Sequence, residues 1–174
     1  MNFRPAVLAA ALALGIGQAV AQAGPTDPQI AAIVVTANQV DIDAGQLARD
    51  KSSNKEVQDF ARLMVTDHTG VNKSASELVQ KLKVTPEDNP TAQSLKKGGD
   101  ENVAKLKGLS GKAFDKAYVD HEVAYHQAVI DALDKTLVPS AQNSELKALL
   151  VKVRPAFVAH LEHARHLQSS LPAR

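Results

Sequence analysis

Residues 55–82 read KEVQDFARLMVTDHTGVNKSASELVQKL. Within them Val57, Ala61, Met64, His68, Val71, Ala75, Leu78 and Leu82 recur at alternating intervals of four and three. That is a heptad seam, the spacing by which one helix of a bundle meets its neighbours. Ser53 or Asn54 supplies a cap, and the helix is predicted to run to about Lys83. One member of the seam is ionisable. His68 stands at the centre of an otherwise apolar stripe, with Asp67 on its flank.

Helical periodicity extends on both sides of this stretch, and no alternating strand pattern interrupts it. Upstream, Asp27-Pro28 marks a helix start, with Asp27 as cap and Pro28 at a position that tolerates proline. That first helix runs to about Asp50 on a stripe of Ile30, Ile33, Ala37, Val40, Ala44 and Leu47. Downstream, Pro86, Asn89-Pro90 and Gly98-Gly99 interrupt the pattern. Two short crossover helices are predicted there, over about 91–97 and 101–107. A third long helix follows from Gly111 to Leu137 after a Ser110 cap, then a turn over 138–143 around Pro139. A fourth runs from Ser144 to Ser169, with Pro155 on its solvent side, where one lost hydrogen bond is cheapest. Short first and third connections make neighbouring helices antiparallel. The expectation is all-α: an antiparallel four-helix bundle with the crossover helices between helices 2 and 3, in one domain over 24–174.

Residues 1–23 carry a different message. Arg4, an apolar run from Ala6 to Ile16, and Ala19-Val20-Ala21-Gln22-Ala23 form the three-part pattern of a cleavable signal peptide. Cleavage falls after Ala21 or Ala23. The run is too short for a membrane span; an uncleaved N-terminal anchor is the alternative. The expected location is a bacterial periplasm. No later segment spans a bilayer.

Composition narrows the function classes. The 174 residues hold 20 Lys+Arg and 19 Asp+Glu, and loss of Arg4 with the leader makes the mature chain formally neutral. A basic face for nucleic acid is not expected. With no Cys, disulfides, thiolate metal sites, Fe–S clusters and cysteine nucleophiles are excluded. Aromatic residues make up 3% of the chain, too few to suggest base or sugar stacking.

The remaining signal is polar residues facing inward. On a wheel of 100° per residue, Asp41 falls among Ala37, Ala44 and Ala48, and Glu122 and His126 fall on the stripe of Tyr118, Val119, Val129, Ile130 and Leu133. His160 falls beside Leu150, Val153, Phe157 and Ala164. Counted from the turns, Asp41, His68, Glu122, His126 and His160 share one layer about a helical turn thick, with Asp41 about one turn out of register with His68. His121 and His163 sit at the border, Glu162 and His166 outside, and Tyr118 and Tyr125 in the core with hydroxyls reaching water. Imidazoles and carboxylates from facing helices build metal sites in bundles. The same five groups also suit a metal-free, hydrogen-bonded polar layer that fixes helix register. Without Cys, the ligand types suit zinc, copper, nickel or iron. A metal ion and a second copy of the chain are the partners the pattern admits.

Three stretches carry a family resemblance. They are Val57–His68, then Phe114-Asp115-Lys116-Ala117-Tyr118-Val119 with His126 after it, then Arg154-Pro155 with His160-Leu161. Over nearly the whole mature chain the sequence resembles the exported bacterial proteins grouped as a domain of unknown function with a ferritin-like four-helix fold, often labelled membrane or outer-membrane proteins. The resemblance implies that fold, export, and inward histidines at 68, 126 and 160. It implies no activity. Di-iron ferritin-like sites use Glu-x-x-His pairs, and here Glu122 and His126 are one residue too far apart, which speaks against iron oxidation and storage. Three functions stand: a periplasmic metal-binding bundle, a structural or envelope-stress interaction module, and a metal-dependent oxidase-type enzyme.

Overall fold

The computed structural model describes residues 24–172. The leader reading falls on residues 1–23, outside the described residues. Four long helices form a bundle: α1 (Asp27–Lys51), α2 (Lys55–Leu82), α4 (Gly111–Ala132) and α6 (Ser144–Ser170). Between α2 and α4 lies α3 (Pro90–Lys107), and between α4 and α6 lie a π-helical turn (Leu133–Leu137) and the short α5 (Val138–Ser140). No strand occurs among the described residues. No helix among them is long and apolar enough to cross a membrane. Helices α1 and α2 pack as one pair and α4 and α6 as another, α2 meets α6, and α3 lies mainly along α1.

The caps explain the boundaries. Asn54 closes the start of α2 by accepting from the backbone N–H groups of Glu56 and Val57, so of the two candidates it is the cap. Thr26, not Asp27, caps α1: its hydroxyl accepts from Gln29 N–H while the Gln29 side chain accepts from Thr26 N–H. Asp27 instead accepts from the backbone N–H groups of Gln142 and Asn143, at 2.9 and 2.8 Å, and ties α1 to the loop before α6. Ser110 occupies the cap position of α4 but makes no side-chain cap bond.

The crossover is one continuous helix rather than two. Asn89 caps α3 through Ala92 N–H, and Pro90 occupies its first turn, so the dipeptide that reads as a break is a start signal. Gly98-Gly99 does not break it either. Gly99 is buried against Val40 of α1, and a Cβ there would stand 2.6 Å from Val40 Cγ2. Close packing on α1 offsets the helix-propensity cost of glycine, about 1 kcal/mol per residue.

The expected single helix to Leu137 also differs in its last part. Pro139 cannot donate, and its ring crowds the carbonyl four residues back. The chain widens into the π turn over Leu133–Leu137, turns once more as α5, and then breaks at Ala141. Pro155 lies inside α6 at an exposed position, as predicted.

The core has two apolar parts. One holds Ile30, Ile33, Ala75, Ile130, Leu133, Leu150, Phe157 and Leu161. The other holds Ala44, Ala48, Val57, Phe60, Met64, Phe114, Tyr118, Val119, Ala164 and Leu167. Phe60 is fully buried although the heptad stripe omits it. On each long helix the two parts are separated by a short interval. Asp41, His68, and Glu122 with His126 occupy the intervals on α1, α2 and α4, and on α6 His160 stands between Phe157 and Leu161, one turn before Ala164 of the second part.

Candidate metal centre

All five predicted residues are buried, and they meet. One potential ligand atom from each of His68, His126 and His160 lies within 4.8 Å of the others, and the same holds for Asp41, Glu122 and His126. His126 is common to both groups. His68 Nε2 is 3.1 Å and His126 Nε2 3.6 Å from Asp41 Oδ2. The one-turn offset expected for Asp41 is therefore spanned by the side chains. The three imidazole centroids are 5.3–5.6 Å apart, and the His68 ring stacks on Phe157 at 5.2 Å and 7°.

Each histidine is held by one ring nitrogen. Asn38 donates through Nδ2 to Val34 O at 2.7 Å, so its Oδ1 accepts from His68 Nδ1–H at 2.7 Å. His126 Nδ1–H donates to Glu122 O at 3.0 Å. His160 Nε2–H donates to Asp67 Oδ2 at 2.9 Å. In the neutral rings the opposite nitrogens then carry lone pairs. Those atoms, His68 Nε2, His126 Nε2 and His160 Nδ1, are buried without an aligned hydrogen-bond partner. The oxygens of Asp41 and Glu122 are buried too, and the protonated Glu122 carboxyl is placed to donate to Asp41.

Burial and charge set the protonation pattern. Burial pulls the His68 imidazole down to about 4 despite Asp41 beside it. Burial also lowers His160, against the pull of Asp67. Burial and the neighbouring Asp41 charge hold the Glu122 carboxyl well above the usual range. Asp41 goes the other way: burial raises it, but the facing His68 and His126 and a hydrogen bond from the Glu122 carboxyl together lower it. Burial thus favours the neutral forms of His68, His160 and Glu122.

Other polar residues divide cleanly. His121 is half-buried, while His163, Glu162 and His166 are exposed. The Tyr125 hydroxyl donates to Ala37 O at 2.9 Å. Tyr118 differs from expectation: it is fully buried, and its hydroxyl has no partner. Sequence reasoning missed Asn38 as a buried residue and left Asp67 as a mere flank. Spacing could have found Asn38, which lies three residues before Asp41 on the same helix face. A second missed pair, Ser52 Oγ donating to Asp115 Oδ1 at 2.6 Å, is buried near the α1–α2 turn.

Bundle, buried layer and local motifs together define a class: an all-helical protein with a polar centre threaded through a divided core. Residues 16–167 match the family described as "Domain of unknown function (DUF4142)", and the chain belongs to that family. The structure is similar to that of a Streptomyces coelicolor chain named "putative secreted protein DUF305", with a TM-score of 0.66 and 12% identity over 84% of this chain and 95% of that one. No curated protein is detectably similar to the chain.

Proposed function

We propose that this is an exported, periplasmic, ferritin-like helical bundle that binds a transition-metal ion at the interior cluster. One observation carries it: three histidines bring one potential ligand atom each within 4.8 Å of the others, and each has one ring nitrogen held by a hydrogen bond, to Asn38, to the Glu122 main-chain carbonyl or to Asp67, and the other buried without a partner. Metal-ligating histidines are oriented in this way, with the second N–H given to a carboxylate, carbonyl or amide oxygen. A polar layer serving register alone would pair its own atoms, because each buried unpaired donor or acceptor costs about 1–3 kcal/mol. His68, His126, His160 and Asp41 are the proposed ligands, with Glu122 a fifth donor beside them. Nitrogen and oxygen donors without sulfur suit zinc, copper, nickel or iron. Export rests on the leader pattern and on the name of the S. coelicolor neighbour.

The test is metal analysis of untagged protein taken from the periplasm, followed by titration of stripped protein with Zn2+ and Cu2+. Stoichiometric metal that is lost in the His68→Ala, His160→Ala double variant is the expected result. A stripped protein that stays folded and shows no rise in melting temperature on metal challenge overturns the reading, since an ion bound to the folded state must stabilise it.

A further inference from the structure

Helices α1 and α4 scarcely touch, and between them lies a cavity of about 340 Å³. Small residues make the gap: Ala37 on α1 and Ala128 and Ala132 on α4 line it. Along α4 and the π turn its lining runs from Tyr125 to Leu137, about 18 Å of helix at 1.5 Å per residue. The space is therefore a slot that follows the helices rather than a round void. It is roughly twice the ~150 Å³ that accommodates benzene in an apolar cavity.

The slot offers its contents little but apolar contact. Ile33, Leu133, Leu137, Leu150 and Phe157 are buried and make its walls. Asp41, His68 and His126 close the inner end, yet both Asp41 oxygens, His68 Nε2 and His126 Nε2 have essentially no accessible surface. Nδ1 of His68 and Nδ1 of His126 are already bonded, to Asn38 and to the Glu122 carbonyl. A charge carried into the slot would lose its water and find no partner there, which is costly. Polar groups return at the mouth, where Thr91 and Thr136 are exposed beside Ala128 and Ala132.

We infer that this slot binds a single unbranched alkyl chain taken up from solution, its hydrocarbon between α1 and α4 and its head group left in water at the mouth. The elongated shape selects a chain over a compact ring, and the apolar walls keep the head outside. The inference uses neither the lone pairs nor the protonation of the proposed metal ligands, so it stands apart from the metal reading.

Calorimetric titration with alkan-1-ols from butan-1-ol to decan-1-ol tests it. Affinity is expected to rise about fourfold with each added methylene, the gain from burying one CH2, and to level off once the chain fills the slot. Octanoate and octan-1-amine should bind about as tightly as octan-1-ol, because their charges stay in water. Ala132→Phe or Ala128→Phe, at the mouth, should abolish binding while leaving the melting temperature intact. The same change at Ala156, an exposed position of α6 outside the slot, should leave binding as it was. Affinity independent of chain length, a strong preference among the three head groups, or binding unchanged in both mouth variants overturns the inference. Zn2+ titration of the mouth variants is expected to match the parent, so loss of chain binding and loss of metal binding are separate results.

Discussion

Asp67 Oδ2 accepts from His160 Nε2 at 2.9 Å, so a carboxylate at the edge of α2 holds an interior histidine of α6. The Asp67 side chain is 39% exposed and His160 only 4%, so the charge stays in water while the ring it steers stays dry. Removing that acceptor frees the ring to rotate and to change tautomer. Asp67→Ala is expected to weaken Zn2+ affinity about 10–100-fold with helix content unchanged. Competition against a chromophoric chelator measures it, and an unchanged affinity would show that the bond does not orient the ligand.

Glu122 keeps a proton in the fold that the unfolded chain gives up above its ordinary carboxylate range. Its contribution to stability is therefore full at acid pH and shrinks as pH rises. Glu122→Gln removes this dependence while keeping the shape. In metal-free protein the variant should gain stability over the parent as pH goes from about 4 to about 8. Urea midpoints across that range give the comparison, and a constant difference would contradict it.

His68 acts with the opposite sign. Below pH 6.5 the unfolded chain takes up a proton that the folded ring refuses until about 4. Stability is present above the unfolded pKa and lost as pH falls through the folded one. Asp41, His126, His160 and Asp67 all act electrostatically on this ring, and the opposite pH dependence of Glu122 offsets the loss in the parent. In the Glu122→Gln background His68 should lose about 3 kcal/mol over that window. A further His68→Gln change should remove most of the slope, although His160 and His121 add slopes of the same sign. An unchanged slope would mean that His68 is protonated in the fold.

Neighbouring glycines of α3 should respond oppositely to one methyl group. A Cβ on Gly98 meets nothing within 4 Å, and Gly98→Ala is expected to stabilise by about 1 kcal/mol. A Cβ on Gly99 meets Val40 Cγ2 at 2.6 Å and Cγ1 at 2.9 Å, and Gly99→Ala is expected to destabilise by about 1–3 kcal/mol. Val40→Ala should restore part of the loss in the double variant. Thermal unfolding of the four proteins decides it.

The long helices and the inward ionisable residues were legible because both follow from periodicity. Asp41, His68, Glu122, His126 and His160 were found by angle alone, and the heptad spacing of α2 set their frame. What was not legible depends on contacts distant in sequence. Gly98-Gly99 reads as a break until Val40 is known to press on it. Asn89-Pro90 reads as an interruption or as a start, and only the packed helix decides between them. The π turn lies just before Pro139, and a fixed angle of 100° per residue has no means of expressing it. The roles of Asn38 and Asp67 required knowing which ring nitrogen each one faces.

The divided core has a consequence for how an ion would be received. Every long helix contributes to both apolar parts, one toward each of its ends, with its buried ionisable residue at or next to the boundary. A helix that slid or rotated by one residue would have to misfit both parts at once. The donor atoms are therefore held in place by packing on either side, without help from a loop that must first become ordered. Little conformational entropy is left to lose when a cation arrives, so the centre is preorganised.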